Sequence, residues 1–141
     1  MERGKLGIDD RQLTVFVFEN LIAKSQHYRT ERTALRLHQW EFAIDTWTFD
    51  IHVLDYMQRL INYYNQPVEV ITSRPKGFAD VLHDRLWSYE VFVDATMSGP
   101  YQLFSHRYAI DPMIKIVYDP DPHHRFGYGF RAREWDPGVY A

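Results

Sequence analysis

Short, mostly apolar runs alternate along this chain with stretches in which apolar residues recur every three or four positions, as strands and amphipathic helices do. Leu13 to Phe18 is the first run, and it stops at Glu19-Asn20, the way a buried parallel strand delivers a polar group to a sheet edge. Between Ala23 and Arg36 the cations Lys24, Arg29, Arg32 and Arg36 are spaced along a segment expected to turn helical after Thr30, with Thr30 as N-cap and Glu31 in the first turn. That face is either a solvated helix surface or a contact for an anionic partner. Trp40, Phe42, Trp47 and Phe49 follow without clean periodicity. Ile51 to Asn65 reads as a helix, since Val53, Leu54, Met57, Leu60, Ile61 and Tyr64 share one side and Asp55, Gln58, Arg59 and Asn62 the other. Val68 to Ile71 is a second strand, leading into Thr72-Ser73-Arg74-Pro75. The helix that follows is opened near Ser73, has Pro75 in its first turn and turns Phe78, Val81, Leu82 and Leu86 inward. Tyr89 to Met97 is predicted as a third strand with Val91 and Val93 as its inner pair, and Ser98-Gly99-Pro100 as a turn. Residues 101 to 113 read as a looser aromatic stretch, and Ile114 to Tyr118 as a fourth strand ending on Asp119.

Strands exchanging with helices in this order predict an α/β fold with a doubly wound, mainly parallel sheet, whose sites lie at the carboxyl ends of the strands. Glu19, Thr72 and Asp119 stand at three such ends. The domain is expected to span residues 13–126, between an N-terminal extension over 1–12 and a tail over 127–141. At 141 residues one core suffices without staples. With no cysteine, neither a disulfide nor a thiolate centre can form. A net charge of -3 argues against whole-surface attraction to nucleic acid. Aromatic residues make up 16% of the chain, more than a core this small should hold, so some rings are expected to face partners. No apolar run approaches the ~20 residues that span a bilayer, and the first residues lack the apolar stretch of a secretory signal. No Gly-rich phosphate loop and no nucleophile-elbow serine occurs, and His123 and His124, being adjacent, point apart rather than converge on a metal.

Val15-Phe16-Val17-Phe18-Glu19-Asn20-Leu21-Ile22 resembles the first motif of the haloacid dehalogenase (HAD-like) superfamily, Val-Phe-Asp-Phe-Asp-Gly-Thr-Leu. Val17 stands where that family has its nucleophilic Asp, and Glu19 where it has its acid/base Asp. Val70-Ile71-Thr72-Ser73-Arg74 resembles the second motif and puts Thr72 at the phosphate-binding hydroxyl; read alone, Thr72 is a cap or turn residue. Ile116-Val117-Tyr118-Asp119-Pro120-Asp121 resembles the metal-binding motif, with Asp119 as its first carboxylate and Pro120 in place of the second. The third-motif Lys has no clear counterpart: Asp94-Ala95-Thr96 follows the predicted third strand, and Lys115 lies inside the fourth. His123, His124, Arg125 and Phe126 resemble the tail of the Swiss Army Knife RNA repair-like group of HAD domains, and the similarity covers roughly residues 13 to 126.

The resemblance implies a phosphatase fold that has lost its nucleophile and half of its Mg²⁺ pair, with Glu19, Thr72 and Asp119 as a vestigial pocket and no cofactor or metal. The expectation is a catalytically inactive accessory or structural subunit of a large protein assembly. By analogy with enzyme folds recruited into organellar complexes, the host would be a mitochondrial respiratory, ATP-synthase or ribosomal particle. Arg125, Arg131, Arg133 and Trp135, in a run where arginines, rings and glycines interleave, are the candidate contacts to other subunits, with RNA as a second occupant. Two alternatives stand beside this reading: a Mg²⁺-dependent nucleic-acid-end phosphatase using Glu19 or Asp119, and an RNA or phospholigand module using Thr72, Arg74 and the arginine tail.

Overall fold

The computed structural model describes residues 12–136, so the expected N-terminal extension, apart from Gln12, and the chain end at Gly138–Ala141 lie outside the described residues. The elements in chain order are β1 (Leu13–Val17), β2 (Ala23–Ser25), α1 (Tyr28–Arg36), α2 (Trp40–Asp45), β3 (Trp47–Phe49), α3 (Ile51–Asn62), β4 (Val68–Thr72), α4 (Lys76–Ser88), β5 (Ala95–Ser98), α5 (Tyr101–Ile110), β6 (Ile114–Tyr118), α6 (Pro122–Tyr128) and, after a 3₁₀ turn at Gly129–Arg131, β7 (Ala132–Arg133). Five strands form one parallel sheet in the order β5-β4-β1-β6-β7. The chain builds outward from β1 through β4 to β5 and then crosses back to β6, which makes the ends of β1, β4 and β6 a topological switch point. This is a Rossmann-like α/β domain.

Alternation along β1 explains the two-layer covering. Phe16, with Phe18 just past the strand, faces one layer, together with Val68, Val70 and Tyr118 and the inner sides of α1 to α4. Leu13, Val15 and Val17 face the other, with Ile71, Val117, Phe104 and Tyr108 of α5 and Tyr128 of α6. Each fully buried Phe or Leu in these layers contributes roughly 1.5–3 kcal/mol of transfer free energy. A register shift between Leu13 and Thr14 lets Ile114 and Val117, which are not two apart, face the same side.

Between β2 and β3, which pair antiparallel, the chain makes an excursion through α1 and α2. Most of the aromatic cluster packs: Trp47 is buried with its ring centroid 4.6 Å from that of Phe18, and Phe49 lies 5.9 Å from Phe18. Trp40 lies on Gly77 so closely that a β-carbon there would overlap its indole, which is why α4 carries glycine at this position. Phe42 is exposed.

Four expectations are corrected. The helix carrying the cations starts at Tyr28, not after Thr30, with His27 rather than Thr30 at its N-cap; Glu31 does lie in its first turn, and is buried there. The third strand is Ala95–Ser98 rather than Tyr89–Met97: Glu90 takes a positive φ of 62°, and Val91 and Val93 are buried in an irregular connection where Trp87 Nε1 donates to the Val93 carbonyl at 3.0 Å. Residues 101–110 are helix α5, N-capped by Pro100, rather than a loose stretch. The sheet also continues past residue 126, since Val117 and Tyr118 pair with Ala132 and Arg133 of the supposed tail. Among the described residues no helix is long and apolar enough to cross a membrane.

Candidate functional site

The switch point brings together what the strand ends carry. A cavity of about 370 Å³ opens there, floored by Val17, Ile71 and Phe104, walled by Tyr101, Tyr128 and His124, and rimmed by Glu19, Asn20, Thr72, Ser73, Gly99, Asp119, Pro120 and Asp121. Glu19, Thr72 and Asp119 therefore share one site. Val17 presents only methyl groups to it.

Glu19 is placed by a tight turn after β1: Phe18 N donates to Ile71 O at 2.9 Å, Asn20 takes the left-handed conformation (φ 65°) that Asn tolerates, and Asn20 N donates to Ala23 O at 2.9 Å. The Glu19 carboxylate then reaches the turn after β4. Its Oε2 accepts from Thr72 Oγ1 at 2.6 Å, Ser73 N at 3.0 Å, Ser73 Oγ at 3.0 Å and Arg74 Nη1 at 3.4 Å. Arg74 continues inward. Its Nε and Nη2 fork onto Glu31 at 3.1 and 3.0 Å, and its guanidinium lies 4.9 Å from the centroid of the Trp47 ring, whose Nε1 also donates to Glu31 at 2.6 Å. Burial works against the Arg74 charge, but its hydrogen bonding to Glu31 and the charges of Glu19 and Glu31 outweigh it and hold the proton more tightly than usual. Backbone contacts brace this turn against β5: Ser98 Oγ donates to Arg74 O, and Gly99 N donates to Thr72 O at 3.1 Å.

At the opposite wall Asp119 is 1% exposed. Its Oδ2 accepts from Tyr128 Oη at 3.1 Å and meets His124 Nδ1 at 3.0 Å, while Oδ1 accepts from Asp121 N at 2.9 Å. Burial and the adjacent Asp119 charge push the Tyr128 phenol far above its ordinary value, so it stays a donor. Asp121 caps α6 by accepting from His123 N, a bond that draws its carboxyl below the usual range. His124 stands between the two acids, with Nε2 3.6 Å from Asp121, and stacks on Tyr101 with centroids 4.0 Å apart.

Mg²⁺, which the sequence resemblance brings to this position, does not fit the donor set. Both oxygens of Asp119 already accept protein donors, a His ring is wedged between Asp119 and Asp121, Pro120 offers no side-chain ligand, and Glu19 turns Oε2 to four donors. Among the described residues no three His, Asp or Glu side chains converge as a metal site. Among the described residues the lining holds three carboxylates and neither Lys nor Arg. Lys115 is exposed on β6, and the turn directly after β5, Gly99-Pro100, carries no Lys.

Of the residues expected to contact partners, Arg125, Arg131 and Trp135 lie against their own domain, whereas Arg133 is exposed and bonds only within its own segment. Arg125 donates to Asp119 O at 2.8 Å and pairs with Glu134 at 3.3 Å; Arg131 donates to Tyr108 O at 2.9 Å; Arg133 donates to Phe130 O and Ala132 O at 2.6 and 2.8 Å. Trp135 packs on Tyr56 and Tyr118 at 5.0 and 6.1 Å between centroids. The rings left exposed there are Phe126 and Phe130. Sequence reasoning missed Glu31, Tyr101, His124 as a cavity wall, and Tyr128. The spacing of Tyr101, Phe104 and Tyr108 at i, i+3 and i+7 was the available signal for α5; the Glu31–Arg74 pairing left none.

The chain matches no protein-family model, no characterised protein and no solved structure.

Proposed function

We propose that this chain is a HAD-like domain without phosphoryl-transfer chemistry, serving as an accessory or structural subunit of a larger protein assembly. A mitochondrial respiratory, ATP-synthase or ribosomal particle is the proposed host. The observation that carries the loss of chemistry is the position of Glu19. Thr72 Oγ1 and Ser73 N, the donors a phosphoryl oxygen would need at a strand-end turn, both point at the protein's own carboxylate. Val17 adds the second support, because a methyl-bearing floor offers no attacking atom.

A phosphate ester entering this cavity would meet three carboxylates with no Lys or Arg among the described lining residues to offset them, which speaks against the end-phosphatase and phospholigand alternatives. What remains is a rigid parallel sheet whose turns are tied by side-chain bonds, and such a body is useful as a shape. The accessory role rests on exposed rings such as Phe126, Phe130 and Tyr63, which are 90%, 80% and 82% exposed.

The test is native purification of the tagged chain from its source, with the particle sized and its components identified by mass spectrometry. The expected result is one large stoichiometric complex and no turnover of p-nitrophenyl phosphate with Mg²⁺ by the isolated chain. A free monomer overturns the accessory reading, and turnover lost in Asp119→Asn overturns the loss of chemistry.

A further inference from the structure

Resting on the accessory-subunit reading, we infer that the outer face of α1 is a docking surface for an acidic segment of a partner protein, with Arg29, Arg32 and Arg36 as its reading groups. These arginines stand at i, i+3 and i+7, all exposed. At 3.6 residues per turn they fall within about 60° of arc and extend about 10 Å along the axis. Glu31, Ala34 and Leu35 occupy the opposite side and face the domain.

What sets this stripe apart is three arginines in a row on one helix face without counter-charge. Four cations elsewhere on the surface have acidic partners: Arg59 with Asp55, Lys76 with Asp80, Arg107 with Glu69, and Arg125 with Glu134. Lys24, Lys115 and Arg133 are exposed with no ion pair among the described residues, but each lies on a strand rather than in a row on one helix face. On α1 the single acid, Glu31, is turned inward to Arg74 and Trp47. The nearest acids of the packed neighbour α2, Glu41 and Asp45, are both held by Arg85. Among the described residues no carboxylate forms an ion pair with Arg29, Arg32 or Arg36. A helix turned this way leaves three like charges in a row, which repel one another until an anion lies across them.

The flanks point to protein rather than nucleic acid. Tyr28 and Leu37, one at each end of the stripe, are 62% and 59% exposed, and arginine beside exposed rings and aliphatic groups is the composition of a protein interface core. A phosphate backbone has no use for these apolar ends, and a chain of net charge -3 repels a long polyanion. The complementary partner is a helix carrying carboxylates at the same i, i+3, i+7 spacing, with apolar side chains flanking them.

The experiment uses the full chain and, as probe, a labelled amphipathic peptide of about 20 residues, long enough to hold a helix, with Glu at i, i+3 and i+7 and Leu on either side. The wild-type chain is expected to bind it. R29E/R32E/R36E, whose changes are all on solvent-facing positions and whose fold is checked by circular dichroism, should bind at least tenfold more weakly and regain affinity for the peptide bearing Lys in place of Glu. No binding, equal binding by both proteins, or a preference for an oligouridylate of similar length overturns the inference, the last in favour of RNA. The native purification separates the two readings. A particle that retains the triple variant sinks this docking surface and leaves the accessory role standing. A monomer that still shows the charge swap sinks the accessory role and leaves the surface.

Discussion

Both ends of the cavity carry a carboxylate just past a parallel strand, and they satisfy it by different routes. At the Glu19 end the partners come from far along the chain: Thr72 is 53 residues away, and Arg74, which joins Glu19 to Glu31, is 55 residues from the first and 43 from the second. At the Asp119 end they are local, within nine residues: Asp121, His124 and Tyr128, all in or beside one short helix. The first arrangement ties β1, β4 and α1 into one body, whereas the second only caps and anchors α6. A buried charge that joins distant elements contributes to holding the fold together; one that is met by its own helix mainly fixes a terminus.

The largest effect that sharpens this contrast is Arg74→Ala. It leaves Glu31 buried without its cation, at a cost of about 3–5 kcal/mol, or roughly 10–15 °C in the melting temperature. Pairing Arg74→Met with Glu31→Gln should recover more than half of that loss, because the uncompensated charge is gone while Trp47 keeps an acceptor. If Arg74→Ala melts with the wild type, the distant network contributes nothing and the contrast fails.

At the local end Tyr128→Phe removes one donor from Asp119 while His124 and the Asp121 amide remain, so a loss of about 1.5 kcal/mol is expected in a urea titration. A loss as large as that of Arg74→Ala would make the two ends equivalent. Glu19→Ala, smaller again, frees the Thr72 and Ser73 donors. Inorganic phosphate at roughly ten times its Kd should then raise the variant's melting temperature by the equivalent of about 1.4 kcal/mol, and leave the wild type unmoved. An equal response in both proteins would mean that Glu19 does not occupy these donors.

The smallest effect is in the pH profile. Asp121, whose carboxyl is held below its ordinary 3.8 by the His123 amide, contributes stability that is present above that value and fades as pH falls through the lowered one. Asp121→Ala should therefore flatten the acid limb of the melting curve below about pH 4 and leave its shape above pH 5 unchanged. A change confined to neutral pH would place the titrating group elsewhere.

Several elements were legible in advance for a reason that differs from case to case. β1, β4 and β6 are short, mostly apolar runs, each interrupted once (Thr14, Glu69, Lys115) and ending at or close to a polar residue, the pattern of a strand buried in a parallel sheet. α3 and α4 show one apolar face, although Tyr64, assigned to that face, is exposed because the helix ends at Asn62. α5 escaped because Ser98-Gly99-Pro100 and the polar Gln102, Ser105, His106 and Arg107 masked the three rings at helical spacing. Val91 and Val93 are buried as expected, yet not in a strand, since two apolar residues can reach the core from an irregular segment when the backbone turns at Glu90. In the site, Glu19, Thr72 and Asp119 could be nominated because a parallel sheet gathers strand ends. Their partners could not, because nothing local to Arg74 names Glu31.

By itself, then, the sequence determined the alternation of strand and helix, the parallel sheet, the methyl-bearing residue at Val17 and the three polar strand ends, all of which follow from periodicity and residue type within a few positions. Only the tertiary structure decided that Glu31 turns inward to Arg74 and leaves Arg29, Arg32 and Arg36 without counter-charge, that Glu19 takes the donors of Thr72 and Ser73, and that the tail adds a strand beside β6. The reason is that charge pairing and sheet order depend on which distant segments are brought within about 4 Å, and distance along the chain carries no record of that.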